Sequence, residues 1–380
     1  LLMNCPVKIA LVANTCWNLY NFRRCIILGL INSGFEVLCI APEDAFTIEI
    51  QKLPVTYIPI KLQAKGNNPL LDVMLIKQLA GIYKSQKPDL VLQYTIKPNI
   101  YGSFAASIAG IPVINSVTGL GTVFLHENAV SKIAQFLYKW SFRSAKYVVF
   151  QNEDDKKVFI DKKLVREDQV TLIKGSGIDI NHFNLIGKDV KRPTFRFLMV
   201  ARLLYDKGIR EYAEASKKLY ASFGTAIECV LLGSIESDKN LGISKEELKN
   251  WIKEHHLIYK PFTTEVIEEY QAATVVVLPS YREGLSKSLL EAASCSKPLI
   301  ATNVAGCKEI VLDTKNGFLC APKNSEDLFL KMKQMITCSQ EQLTDMGAKS
   351  RMHVEENFSD KIIFNDYFCL IKQVVFKSAV

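Results

Sequence analysis

Residues 274–302 read TVVVLPSYREGLSKSLLEAASCSKPLIAT, and the order of residue types in them decides the fold. Val275 to Leu278 are four consecutive apolar residues without polar alternation, the pattern of a strand covered on both faces. Pro279, Ser280 and Gly284 then mark a turn. Apolar residues recur at helical spacing over about 285–295, and PLIAT (298–302) is a second apolar strand. Strand, helix and strand within 29 residues make a parallel crossover unit.

The same alternation runs outward from this unit. Before it come FRFLMVA (195–201), a helix over about 207–220, IECVLLG (227–233) and helices near 244–254 and 264–272; after it come NGFLCA (316–321) and three helical stretches near 324–336, 340–356 and 360–377. An independent series opens the chain: KIALVAN (8–14), a helix over about 20–33, EVLCIA (36–41), VTYIPI (55–60), a helix near 69–86, DLVLQYT (89–95), a helix near 98–109, PVINSV (112–117), a helix near 129–145 and YVVFQN (147–152). Residues 175–193 lose all periodicity and separate the two series. The pattern predicts an α/β chain of two doubly wound domains, 1–180 and 181–360, with a helix over 361–380 returning toward the first. Open sheets of this kind bind ligands at the carboxyl ends of their strands, so the site is sought there.

Composition narrows the function classes. With 48% apolar and 23% charged residues, and only 19 Gly and 13 Pro in 380, neither a disordered nor a fibrous chain is in question. Ten cysteines without a C-x-x-C pair, most of them in apolar runs, read as reduced thiols of a cytoplasmic protein. The five histidines offer only His255 and His256 as neighbours, which is not metal spacing on a helix, so no metal site is expected. The net charge is +8, with 20 Lys/Arg against 14 Asp/Glu in residues 1–180. In the absence of a basic helix or finger pattern, that excess suits an anionic small molecule or membrane surface and not a nucleic acid. The run Lys8–Ala13 is too short for a signal peptide's apolar core, Leu1 and Leu2 ahead of Met3 read as a start-site artefact, and no stretch approaches the roughly 18 apolar residues of a membrane span.

Glu283 falls in the turn after the strand 274–280, Gly284 allows close backbone approach, and a helix begins near Leu285, so N–H groups around Gly284, Leu285 and Ser286 can face an anion. Glu291 follows eight residues after Glu283, about 12 Å along a helix axis. Two carboxylates at that separation suit the hydroxyls at either end of a nucleotide sugar, with the diphosphate at the helix start between them. Taken alone, Glu291 also reads as an exposed helix residue and Glu283 as a capping partner.

The Glu283-x7-Glu291 pair resembles the E-x7-E motif of glycosyltransferase family 4, whose members have the GT-B architecture of two Rossmann-like domains facing a central cleft. VARLLYDKGI (200–209) is similar to the family's G-R-x4-K-G segment, matching Arg202 and Lys207. The resemblance implies that these two cations hold the donor diphosphate as it leaves; on their own they read equally as a surface ion pair with Asp206 and an early helix residue. It also places Gly233 beside the nucleotide, the segment 257–262 at the base, Glu283 at the transferred sugar and Glu291 at the ribose, and it implies retention of configuration. Breaking a glycosyl–phosphate bond develops charge on the diphosphate, which fixed cations stabilise, so no divalent ion and no cofactor are expected.

The first half departs from the family where Ala13 to Arg23 replaces a Gly-Gly loop and where no histidine follows PVINSV before His126. Asn21-Phe-Arg23 and Thr118-Gly119-Leu-Gly121 instead resemble bacterial enzymes that add a sugar, often an N-acetylhexosamine, to a polyprenyl-diphosphate-linked saccharide, which makes Arg23, Thr118 and Gly119 acceptor-side or sugar-side candidates. Gly119-x-Gly121-x-x-Phe124 lacks the acidic partner of a dinucleotide fingerprint. The segment AVSKIAQFLYKWSFRSAK (129–146) combines Ile133, Phe136, Leu137, Trp140 and Phe142 with four cations and no acid, which suits an anionic membrane surface and equally a core helix with a basic outer face. The expectation is a transferase that takes a UDP-linked sugar to a lipid-linked saccharide, peripheral on the inner face of the cytoplasmic membrane. Two other readings of the architecture are a nucleotide-sugar epimerase, which acts without an acceptor, and a catalytically silent nucleotide-sugar-binding partner of a membrane assembly.

Overall fold

The computed structural model describes residues 6–63, 68–120, 129–185, 194–235 and 242–376. It divides into two compact units, Leu1–Gly177 with Asp360–Val380 and Ile178–Ser359.

The first unit holds a seven-stranded parallel sheet of β1 (Lys8–Val12), β2 (Glu36–Ala41), β3 (Thr56–Pro59), β4 (Leu90–Tyr94), β5 (Val113–Val117), β6 (Tyr147–Phe150) and β7 (Val170–Leu172), in the order β3-β2-β1-β4-β5-β6-β7. All residues of β4 and β5 are buried, which is why these strands read as continuous apolar runs. Among the described residues the α-helices between the strands are α1 (Cys16–Asn32), α2 (Thr47–Gln51), α3 (Pro69–Gln86), α4 (Ser103–Ala109), α5 (Ala129–Ser141) and α6 (Glu153–Asp161). Leu19, Ile26, Ile27 and Leu30 of α1 cover one face of the sheet, and Leu79 of α3, Ala105 of α4 and Tyr138 of α5 cover the other.

Helix α1 begins four residues before the predicted start, because the Asn18 N–H donates to Thr15 Oγ1 at 3.0 Å and caps the first turn. The stretch predicted as one helix over 98–109 opens with a π-helical turn, Pro98–Gly102, before α4. Helix 129–146 ends as α5 at Ser141 and continues only as a 3-10 turn, Phe142–Ser144. The short β7 and α2, and α6 with its opening Glu-Asp-Asp, carry too little apolar periodicity to stand out in the sequence.

The second unit is a six-stranded parallel sheet of β8 (Phe195–Val200), β9 (Ile227–Leu232), β10 (Leu257–Lys260), β11 (Val275–Leu278), β12 (Leu299–Thr302) and β13 (Gly317–Cys320), ordered β10-β9-β8-β11-β12-β13. Its helices are α7 (Ile209–Phe223), α8 (Lys245–Glu254), α9 (Val266–Ala272), α10 (Lys287–Ser294), α11 (Ser325–Ile336) and α12 (Gln340–Asn357). In both sheets the chain moves outward in opposite directions from a central pair, β1/β4 in one and β8/β11 in the other, which creates a topological switch point at the carboxyl ends of those strands.

The last helix, α13 (Asp360–Val375), packs on α1 in the first unit. Gly29 makes this possible, since a Cβ there would lie 2.3 Å from the Phe364 ring. Tyr367 adds a hydroxyl contact to Ser116 Oγ at 3.0 Å, and the Tyr147 hydroxyl donates to Gln373 Oε1 at 2.8 Å.

Candidate active site

In the second unit β8 and β11 run side by side, pairing Phe197 with Val275 and Leu198 with Val276. The segments that leave them are tied together at once. The Tyr281 N–H and the Ser280 hydroxyl both donate to the Asp206 carbonyl, at 2.8 and 3.2 Å. Gly208, at φ +73°, closes the 3-10 turn Tyr205–Lys207; a Cβ on it would lie 2.0 Å from the Pro279 carbonyl oxygen. Any other residue would push the two strand ends apart.

This junction sets Lys207 against Glu283, with Nζ 2.7 Å from Oε1 and both side chains 16% exposed. Burial works against the Lys207 charge, yet Glu283, by attraction and by hydrogen bond, holds the ammonium above the usual lysine range. Arg202 is exposed on the segment after β8, and its charge bears on Lys207. Of the two cations matched to the diphosphate, Lys207 touches the carboxylate matched to the sugar, and the Arg202 charge acts on Lys207. Glu283 is fixed through its backbone: its N–H donates to the Ala305 carbonyl at 3.0 Å, and Gly306, at φ +80°, packs so closely that a Cβ would lie 2.5 Å from the Glu283 Cβ.

Glu291 lies on α10 and is half-buried, not exposed as the alternative reading had it. Burial pushes its carboxyl up, and Lys287 together with a 2.9 Å hydrogen bond from the Tyr270 hydroxyl opposes that. Ser286 caps α10, accepting from the Leu289 N–H at 3.3 Å, while its own N–H donates to the Gly306 carbonyl at 3.0 Å. The Ser286 N–H expected to face phosphate is therefore engaged within the turn. Gly284 and Leu285 lie half-buried between Glu283 and that cap. Gly233 has both backbone groups engaged, its N–H on the Lys260 carbonyl and its carbonyl under the Tyr259 hydroxyl, and a Cβ on it would lie 1.8 Å from the Ala201 oxygen. Close packing of β9 on β8 requires that glycine.

Gly208 and Gly306 take part in this geometry without having been singled out in the sequence, and Asp206, named there only as an ion-pair partner for Arg202, takes part through its backbone carbonyl. Gly208 stands in the quoted 200–209 segment, and Gly306 follows the PLIAT strand as a lone turn glycine, so a signal was present for both.

In the first unit Arg23 is 1% exposed, its guanidinium carbon 4.0 Å from the centroid of the Tyr94 ring. Thr118 and Gly119 follow β5, Gly119 at φ +126°. Gly121, Phe124 and His126 lie outside the described residues. Along α5, Ile133, Phe136 and Trp140 are 61%, 59% and 50% exposed beside exposed Lys132, Lys139 and Arg143. Phe142, grouped with them from the sequence, is instead buried against Tyr138 and Phe159. Among the described residues no helix is long and apolar enough to cross a membrane, and no three His, Cys, Asp or Glu side chains converge on a metal position.

Two family models match the chain, one described as glycosyl transferase 4-like over residues 8–152 and one as glycosyl transferases group 1 over residues 186–353. The chain is 28% identical, over 97% of its length and 99% of the relative's, to a Campylobacter jejuni N,N'-diacetylbacillosaminyl-diphospho-undecaprenol alpha-1,3-N-acetylgalactosaminyltransferase. It is 26% identical, over 76% of its length and 82% of the relative's, to an Escherichia coli UDP-Gal:alpha-D-GlcNAc-diphosphoundecaprenol alpha-1,3-galactosyltransferase. Anabaena HepE in complex with UDP-glucose has a similar fold, with a TM-score of 0.78 and 18% identity over 96% of this chain and 99% of that one.

Proposed function

Because the chain belongs to the GT-B glycosyltransferases, we propose that it moves a sugar, an N-acetylhexosamine, from a UDP-linked donor to a hydroxyl of a polyprenyl-diphosphate-linked saccharide, with retention of configuration. The observation that carries the assignment of roles is the junction at the β8/β11 switch point, where Lys207 meets Glu283 and lies within reach of the Arg202 charge. Lys207 and Arg202 take the donor diphosphate and stabilise the charge that grows on it as the glycosyl bond breaks. Glu283 holds the transferred sugar and Glu291 the ribose hydroxyls; Gly284 and Leu285 line the turn between them. The departing phosphate oxygen takes the acceptor proton on the face it leaves, so the product keeps the donor's configuration. Two fixed cations supply the charge stabilisation that a divalent ion would otherwise provide, so turnover is expected to survive a chelator.

Arg23, Thr118 and Gly119 belong to the acceptor side. In the same proposal the exposed Ile133, Phe136 and Trp140 of α5, among cations, suit an anionic membrane surface, with the enzyme working at the cytoplasmic leaflet; the exposure of these side chains supports that reading.

The test is a turnover panel of UDP-sugars in the presence of chelator, with and without a short-chain polyprenyl-diphosphate saccharide, followed by NMR of the new anomeric centre. Release of UDP that depends on the lipid acceptor, with the donor's configuration retained, is the expected result. Release indifferent to acceptor overturns the transfer, an inverted centre overturns the retention, and loss of turnover on chelation overturns the metal independence.

A further inference from the structure

Arg23 occupies a position of α1 at which the neighbouring inward residues, Leu19, Ile26, Ile27 and Leu30, are all apolar and buried. Its guanidinium stacks on the Tyr94 ring, but Nε and Nη1 are buried with no hydrogen-bond partner, and among the described residues no carboxylate pairs with it. A side chain needed only to fill this space would be apolar, because a buried charge without a counter-charge opposes folding.

The surroundings share the same deficit. The Tyr94 hydroxyl and Thr95 Oγ1 are buried and unpartnered, and Thr95 sits at φ +72°, a left-handed conformation that a β-branched residue rarely adopts. The pairing of Val12 with Gln93 brings the residues just beyond these strands, Asn14 and Thr95, to the same edge of the sheet. Oδ1 of Asn14 and Oδ1 of Asn18 are also buried and unpartnered. Strain and unmet hydrogen-bonding capacity therefore collect at the β1/β4 switch point, where an open sheet takes its ligand.

We propose that this end of the first unit is a phosphoryl-binding subsite, with Arg23 as the counter-cation and Tyr94, Thr95, Asn14 and Asn18 as its hydrogen-bonding wall. A planar guanidinium offers two donors side by side, and hydroxyls on a neighbouring strand supply further donors for the remaining oxygens of a tetrahedral group. The inference deepens the acceptor-side reading of Arg23 and names the group it takes, the phosphoryl of a diphosphate ester or of free phosphate.

The experiment is calorimetric titration of the full chain with inorganic pyrophosphate, for the wild type, Arg23→Met, Arg23→Lys and Lys207→Ala. The expected wild-type titration contains two classes of site. Lys207→Ala loses one; Arg23→Met loses the other while its melting temperature holds or rises, since methionine relieves the buried charge. Arg23→Lys, which keeps the charge without the fork, weakens the same class by about tenfold. An Arg23→Met titration that superimposes on the wild type overturns the subsite. If Arg23→Met does not fold, an Arg23→Lys titration unchanged from the wild type overturns it equally and leaves Arg23 as a strut on Tyr94. The source of the phosphoryl follows from steady-state kinetics of Arg23→Lys: a raised KM for the lipid-diphosphate acceptor at unchanged donor KM assigns it to the acceptor, and both KM values unchanged assign it to free phosphate. A wild type that transfers no sugar refutes the proposed activity but leaves the pyrophosphate result standing.

Discussion

Lys207 Nζ and Glu283 Oε1 lie 2.7 Å apart, joining the segment after β8 to the segment after β11 across the switch point of the second sheet. In the proposed roles, this one contact orients a cation for the diphosphate and a carboxylate for the sugar. Lys207→Ala removes the cation from the leaving group and strands Glu283, so kcat should fall by about 10²–10³-fold while stability falls by about 1–3 kcal/mol. A double-mutant cycle with Glu283→Ala separates the two effects. The stability losses should be strongly non-additive, because the second substitution removes the group the first left unpaired. Near-normal kcat in Lys207→Ala would remove it from the diphosphate.

Gly306 acts on the same carboxylate from behind. At φ +80° and with a Cβ that would come 2.5 Å from the Glu283 Cβ, Gly306→Ala must displace the turn that carries Glu283. The expected outcome is a fall in kcat of about tenfold or more, since displacement of about 1 Å at a reacting centre costs on the order of 10²-fold. UDP alone, which lacks the sugar, should bind with nearly unchanged affinity by calorimetry. Equal loss of both would mean that the whole helix start, and not Glu283 alone, had moved.

Glu291 gives a pH-dependent signature. Burial raises its carboxyl while Lys287 and the Tyr270 hydroxyl bond oppose the shift. A carboxyl raised in the folded state binds its proton more tightly folded than unfolded, so its contribution to stability is fully present below the unfolded value, near pH 4, and is lost as pH rises through the folded value. Glu291→Gln keeps an acceptor for Tyr270 and cannot ionise. Its melting temperature should match the wild type near pH 4 and exceed it by roughly 2–4 °C at pH 7. The same variant should weaken UDP-sugar binding if the carboxylate holds the ribose, so the two readouts move in opposite directions. A variant less stable than the wild type at pH 7 would contradict the burial account.

The sheets, the placement of Glu283, Arg202 and Lys207 after strand ends and that of Glu291 on the following helix were legible because they rest on patterns local in sequence, apolar runs of four to six residues such as Val275–Leu278 and turn glycines just after them. The partnerships were not legible. Lys207 and Glu283 are 76 residues apart, and nothing between them in the sequence encodes a 2.7 Å contact. Arg23 read as a polar candidate near a loop, whereas the fold buries it under Tyr94, a strand 71 residues away in the chain. Phe142 misled in the opposite sense: it is grouped with Trp140 in the sequence, but residues two apart face opposite sides of a helix, and Phe142 follows Tyr138 by four and shares its buried side. Local periodicity reports which residues face the interior, and only the packed sheet reports which of them meet.

The exposed face of α5 makes the last prediction. Ile133, Phe136 and Trp140 recur at intervals of three and four, so they share one side of the helix, and each is at least half exposed. The Phe136 and Trp140 rings lie 5.8 Å apart, and the Arg143 guanidinium stands 4.6 Å from the Trp140 centroid, which sets a cation at the rim of the apolar stripe. Exposed aromatic residues ringed by Lys132, Lys139 and Arg143, with the opposite side of the helix anchored by buried Tyr138, match a helix that lies in a headgroup layer and not one that crosses it. Vesicles containing anionic lipid should therefore retain the protein in a flotation assay, and neutral vesicles should retain much less, because each cation near the surface adds about 1 kcal/mol only when the surface is charged. Phe136→Ser with Trp140→Ser should abolish retention without lowering the melting temperature, since neither side chain is in the core. Turnover on a water-soluble short-chain acceptor should stay unchanged in that double variant, while turnover on a long-chain acceptor in vesicles falls. Retention by anionic vesicles that survives the double substitution would move the contact to another part of the basic first unit.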